Sequence, residues 1–117
     1  MKKLILILVV AFVGITTQAQ EKKVKKNKNA KYDIEVNGNC EMCKKRIEKA
    51  AYSVKGVKSA QWHADHKDIH LVIDENKTSI DQIHQAIANV GHDTDKVRAK
   101  DEDYEKLHHC CMYERKE

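Results

Sequence analysis

Two pairs of cysteines carry the residue types and spacing in this chain that can do chemistry. Cys40 and Cys43 stand three apart in "GNCEMC", and Cys110 and Cys111 are adjacent in "HHCCM". Thiolates at the first spacing can converge on one soft ion, exchange with a substrate disulfide, or close on each other. Such ligands select Cu(I), Hg(II), Zn(II) or Cd(II) over Mg or Ca. Two of them suit a linear or trigonal site, whereas Zn(II) ordinarily takes four. The pair straddles the entry to a helix, whose terminal amides favour thiolate. Lys44, Lys45 and Arg46 push the same way and Glu41 opposes them, which makes Lys44 a neighbour that tunes the site. Met42, between the cysteines, is placed to shield the sulfurs, with a thioether ligand as the second reading. The other pair lies in the run His108, His109, Cys110, Cys111, Met112, five soft or borderline donors in succession. It reads as a second metal site or as further ligands for Cys40 and Cys43. The plainer alternatives are a vicinal disulfide or a frayed terminus.

The elements that must position these thiols follow from hydrophobic periodicity. Tyr32, Ile34 and Val36 alternate with polar neighbours as a half-buried strand. Ile47, Ala50, Ala51 and Val54 form the apolar stripe of a helix, and Gly56 suits its C-terminus. Val57 to Ala64 is a strand with Ala60, Trp62 and Ala64 on one face, and Trp62 reads as core. Ile69, Leu71 and Ile73 mark the next strand, with "HADHKD" as the hairpin between them. Ser79 to Gln82 reads as a capping box opening a helix with the stripe Ile80, Ile83, Ile87 and Val90, closed by Gly91. Thr94 to Ala99 supplies a weak last strand. The order is β-α-β-β-α-β, an α+β ferredoxin-like plan: a four-stranded antiparallel sheet with two helices on one face. That topology gathers the cysteine loop and Gly91-His92 at one end.

The domain sits between segments of different character. Lys2 and Lys3, the twelve-residue apolar run Leu4 to Ile15 and the small residues before Gln20 describe a secretory signal peptide over 1–19. The run is shorter than the roughly 20 residues a bilayer span needs, so no stable membrane insertion is expected after cleavage. Its removal takes the formal charge from +4 to +2. Residues 20–31 form a basic linker read as disordered, with six lysines against one glutamate between Glu21 and Lys31. The positive balance therefore lives in the linker and marks no nucleic-acid surface. Both cysteine pairs are local, and short loops would constrain the unfolded chain little, so their value is sulfur chemistry rather than stapling. No phosphate-binding glycine loop, Ser-His-Asp arrangement or carboxylate pair points to an enzyme.

The chain resembles the heavy-metal-associated domain family over about Lys31 to Ala99. The likeness rests on "GNCEMC", the helix "KKRIEKAAYSVKGV", the strand pair from Val57 to Ile73 and "IHQAIANVG". Members include copper metallochaperones, amino-terminal modules of metal-pumping ATPases and periplasmic mercury-binding proteins. Gly38 matches the glycine of the family motif G-M-x-C-x-x-C, and Cys40 and Cys43 match its metal ligands. The methionine between glycine and first cysteine is missing, leaving the loop one residue shorter. By the same resemblance His92, in the loop after the second helix, packs beside the metal as a third ligand or a hydrogen-bond donor; an exposed loop histidine is the equal alternative.

The tail, residues 100–117, lies beyond the domain at 32–99. Tyr104, Leu107, His108 and Cys111 have helical spacing, and the eight residues between Ala99 and His108 span about 12 Å as helix or over twice that extended, so the tail can return to Cys40 and Cys43. His63, His66, His70 and His84 read as structural or solvated. Together these features describe an exported, periplasmic or secreted carrier of a soft ion. Cu(I) is favoured, with Hg(II), Zn(II) or Cd(II) as alternatives, and the ion is handed by thiolate exchange to a metal-transporting ATPase or another receiving protein. The competing readings are a thiol–disulfide oxidoreductase, with Cys40 attacking and Cys43 resolving, and a Zn/Cd-binding module whose ligands the tail completes.

Overall fold

A computed structural model describes residues 26–115. The signal segment and the linker as far as residue 25 lie outside the described residues. Three strands alternate with helices in the order β1 (Ala30–Glu35), α1 (Glu41–Tyr52), β2 (Val57–His63), β3 (Asp68–Ile73) and α2 (Ile80–Asn89). A short helix α3 (Asp101–Glu105) and a 3-10 turn (His109–Cys111) complete the described chain. Ala30 and Lys31, read as the end of the linker, belong to β1. Just before them, Asn27 exchanges backbone and side-chain hydrogen bonds with Glu75.

The sheet is antiparallel with order β1-β3-β2. Its register places Ile69 of the central strand between Ile34 and Trp62, and Leu71 between Tyr32 and Ala60. One face is thus apolar, and α1 covers it with Cys43, Ile47, Ala50 and Ala51 while α2 adds Ile83 and Ile87. Trp62 is fully buried and its indole N–H donates to the Val36 carbonyl at 3.0 Å, which satisfies the one polar group it takes inside. On the opposite face His70 meets Asp33, and the His63 ring packs edge-on against it.

Four sequence expectations need correction. The fourth strand over Thr94 to Ala99 is absent among the described residues; a single bridge joins Thr94 to Val36. Asp95 N–H still reaches the Glu35 carbonyl at 3.1 Å, but the donors beyond it are taken locally. Thr94 Oγ1 accepts the N–H groups of Lys96 and Val97, and Asp93 Oδ1 accepts that of Ala99. A side chain offering such bonds competes directly with a ladder. Second, Ala64 is exposed at the hairpin turn rather than on the Trp62 face, because β2 ends at His63. Third, Ser79 makes no side-chain cap; the hydroxyl of Thr78 bonds Gln82 instead. Fourth, the tail is not one helix through Cys111. His108 has extended backbone (φ −61°, ψ 154°) and separates α3 from the 3-10 turn.

The tail nevertheless belongs to the core. Leu107, Cys111 and Tyr113 are buried in the same apolar cluster as Ile34, Ile47 and Trp62. Gly91, at φ +100°, closes α2 and lets the tail approach: a Cβ there would lie 2.7 Å from the Asp103 carbonyl oxygen and 3.1 Å from Leu107.

Candidate metal centre

The first thiol pair is held by strand, loop and helix in sequence. Asn37 N–H bonds the Asp93 carbonyl at 2.9 Å and ties the loop after β1 to the loop after α2. Gly38 then passes so close to the core that a Cβ would meet Cys43 Cβ at 3.0 Å and the Trp62 ring at 3.1 Å. Cys40 occupies the N-cap of α1 in extended backbone, and its carbonyl accepts Lys44 N–H at 3.0 Å. Cys43 lies one turn in, fully buried, and its Sγ accepts Asn39 N–H at 3.3 Å. The two sulfurs are 3.5 Å apart.

The second pair arrives from the far end of the chain at the same place. Cys110 Sγ is 3.1 Å from Cys40 Sγ, Cys111 Sγ is 3.6 Å from it, and the two tail sulfurs are 4.0 Å apart. Cys40, Cys110 and Cys111 therefore form a group of potential ligand atoms all within 4.8 Å of one another. Met42 Sδ stands 3.5 Å from Cys110 Sγ on the exposed side. All four cysteines are free thiols. Neither the vicinal disulfide nor a frayed end describes this tail.

Non-sulfur contacts anchor it on both sides of Cys110 and Cys111. The Tyr113 hydroxyl donates to the Gly91 carbonyl at 2.8 Å and accepts Asp93 N–H at 2.7 Å, and its ring stacks on His92. Arg115 grips the Asp93 carboxylate at 2.8 and 3.0 Å, reaches Asp101 at 2.8 Å, and lies over the Tyr104 ring. Tyr104 in turn donates to the Tyr113 carbonyl at 2.5 Å. A two-pronged guanidinium–carboxylate contact of this kind is among the stronger side-chain hydrogen bonds.

The electrostatics single out Cys40. Partial burial pushes its thiol up, but hydrogen bonds from the Cys110 thiol, the Cys43 backbone N–H and the Cys43 and Cys111 thiols outweigh it, leaving a pKa of about 6. Helix-end amides thus act as expected. Lys44 does not: its Nζ is engaged by Glu48 at 2.7 Å and the Trp62 carbonyl at 3.1 Å, bracing α1 against β2. The Cys110 thiol is pushed up as donor to Cys40, and Cys111 is pushed up by burial and by the neighbouring sulfurs. In effect one negative charge is shared among clustered thiols.

His92 is fully buried, and its Nδ1–H donates to the Asn37 carbonyl at 2.8 Å. Burial holds it neutral, with a pKa lowered to about 4. It stands outside the thiol group and serves to stack against Tyr113. His108, His109 and Met112 are exposed, and neither histidine joins a group of potential ligands among the described residues. His84 is buried against the Thr94 hydroxyl, a structural role as expected. Sequence reasoning missed Tyr113, Arg115 and Asp93. The available signal was the placement of Tyr104 and Tyr113 around the cysteines in a chain with four tyrosines.

Two thiols at a helix entry, raised over a small α+β core, define a soft-metal-binding module. The match to the heavy-metal-associated domain model over residues 33–93 shows that the chain belongs to that family. A copper chaperone, CopZ, of Staphylococcus haemolyticus (strain JCSC1435) is 34% identical over 61 residues, covering 51% of this chain and 90% of that protein. Among solved structures, a CopZ metallochaperone superposes with a TM-score of 0.54 at 27% identity, over 56% of this chain and 98% of that one. A copper binding domain from HMA7, a P-type ATPase, gives 0.54 at 26% identity, over 56% and 89%. The family match ends before the tail begins.

Proposed function

We propose that this protein binds a soft metal ion, Cu(I) foremost, between Cys40 and Cys43 and passes it to an acceptor by thiolate exchange, without catalysing a reaction. The observation that carries the reading is the pair of facing sulfurs at the N-cap of α1, in a chain similar to copper chaperones. An incoming thiolate would displace Cys40 and Cys43 one at a time, which suits a site at the surface end of a helix. Similarity to a copper binding domain of a P-type ATPase supports a metal-transporting ATPase as the acceptor. Export rests on the Lys2-Lys3 and Leu4 to Ile15 pattern; among the described residues no helix is long and apolar enough to cross a membrane. The ferredoxin-like plan stays the reading of the domain's layout, with the Val36–Thr94 bridge standing where a fourth strand would pair.

A second reading, thiol–disulfide exchange, is favoured by the lowered pKa of Cys40 beside Cys43. An anaerobic Cu(I) titration of the reduced full chain against a chromophoric competitor separates the two. Tight binding of one equivalent that disappears in Cys40→Ser supports the carrier. Failure to compete for Cu(I), Zn(II) and Hg(II) alike would sink it and leave disulfide exchange in front.

A further inference from the structure

We infer that Cys110 and Cys111 are ligands of the same ion as Cys40 and Cys43, so that the tail closes the family's two-thiolate site on its own chain. This rests on the metal-binding reading above and adds to it a ligand set drawn from outside the family domain.

Geometry carries the inference. A metal–thiolate bond of about 2.3 Å puts ligand sulfurs about 3.8 Å apart in a tetrahedral site, about 4.0 Å in a trigonal one and about 4.6 Å in a linear one. Cys40 and Cys43, at 3.5 Å, are too close for linear two-coordination without spreading and fit the higher coordination numbers. The tail sulfurs bring the other separations: 3.1 Å and 3.6 Å to Cys40, and 4.0 Å between themselves. Cys40, Cys110 and Cys111 lie within 4.8 Å of one another and outline a trigonal set, and Cys43, outside that group but 3.5 Å from Cys40, completes four sulfurs once they spread around an ion. A disulfide needs about 2.05 Å, so no pair is bonded.

The cradle is also built without the ion. Leu107 and Tyr113 are core residues on either side of the pair, and the Tyr113 and Arg115 contacts to Gly91 and Asp93 fix the tail by oxygen and nitrogen groups alone. Cys111 is fully buried and faces the site from inside, while Cys110 closes it from the solvent side beside Met42. The tail thus occupies the approach an acceptor's thiols would use. Transfer then begins as a tail sulfur–metal bond breaks and an acceptor sulfur–metal bond forms. The incoming thiol gives up its proton, the released tail thiolate takes one up, and the charge on the ion is unchanged.

The test is a titration of the reduced full chain with Cd(II) alone, read by thiolate-to-metal charge-transfer absorbance and by competition with a chelator. The Cys110→Ser/Cys111→Ser variant should keep one equivalent of metal but lose about half of that absorbance, two sulfurs of four remaining. Its affinity should fall at least about tenfold, as expected when tethered ligands are removed. Near-UV circular dichroism of Tyr104, Tyr113 and Trp62 reports whether its tail is still docked. Unchanged absorbance and affinity in this variant, with both lost in Cys40→Ser/Cys43→Ser, would overturn the inference and leave the two-thiolate carrier standing. Binding that survives Cys40→Ser/Cys43→Ser intact would take the carrier reading down as well.

Discussion

The two cysteine pairs reach the same point by opposite routes. Cys40 and Cys43 are placed by a stretch of a few residues: a glycine against Trp62, an extended N-cap and the first turn of α1. Cys110 sits 3.1 Å from Cys40 across seventy positions of sequence, and no local geometry holds it there. Its position depends on Leu107, Tyr113 and Arg115, which dock on the loop after α2. The first pair is therefore as stable as the domain. The second is as stable as the docking of the tail, a unit able to open separately.

The sharpest way to break this contrast is Tyr113→Ala. It removes a buried aromatic ring and leaves the Gly91 carbonyl and Asp93 N–H without their partner, at a cost of about 4 kcal/mol. Denaturant unfolding should show that loss. Hydrogen exchange should show residues 101–115 opened while the α1 amides keep their protection, and equal loss at both places would mean that the tail and domain are one cooperative unit.

Arg115→Ala comes next. It strips a buried carboxylate of its partner, at about 3 kcal/mol near neutral pH. The pH dependence has a definite sign. Burial opposes ionisation of Asp93, but Arg115 and the Ala99 N–H more than offset it, so its folded pKa lies below the ordinary 3.8. The contribution is present in full above that value and fades as pH falls through the depressed folded pKa. Melting curves of the two proteins should therefore begin to converge below about pH 4 and meet once pH is below the depressed folded pKa. A gap that persists below the folded pKa would show that packing on Tyr104, not charge, is what Arg115 supplies.

The smallest expected effect on stability tests the other pair. In Gly38→Ala the added methyl meets Cys43 and the rigid Trp62 ring, and overpacking of that kind costs about 2 kcal/mol. Since it moves Cys43, it should weaken Cu(I) binding more than Tyr113→Ala does despite costing less stability. The reverse order in competitor titrations would place the main ligands in the tail.

How much of this was legible beforehand follows the same division. The stripes Ile47-Ala50-Ala51 and Ile83-Ile87 and the alternation in β1 and β3 record local periodicity and landed in the core. Gly91 closes α2 as expected, whereas α1 ends at Tyr52 with Ser53 as its cap and Gly56 serves the turn into β2. The cysteine loop was legible for the same reason. Thr94 to Ala99 misled because strand-like residues there are outcompeted by the side chains of Asp93 and Thr94, whose bonds no periodicity displays. The tail misled differently: helical spacing at Tyr104, Leu107 and Cys111 reflected burial against one surface, not one continuous helix. The expectation that Lys44 would act on the thiols failed because Glu48 and the Trp62 carbonyl claim it first.

One consequence of the docked tail concerns kinetics in a crowd of competitors. A ligand on the same chain acts at an effective concentration of at least roughly millimolar, with no dependence on how dilute the protein is. Small free thiols must approach that level before they displace Cys110 or Cys111 from a shared ion. A protein that presents two thiols together, with its own surface to hold them in place, faces no such threshold. Tethering would thus act as a filter on who can take the cargo, set by the length and anchoring of residues 101–115 rather than by the strength of any metal–sulfur bond.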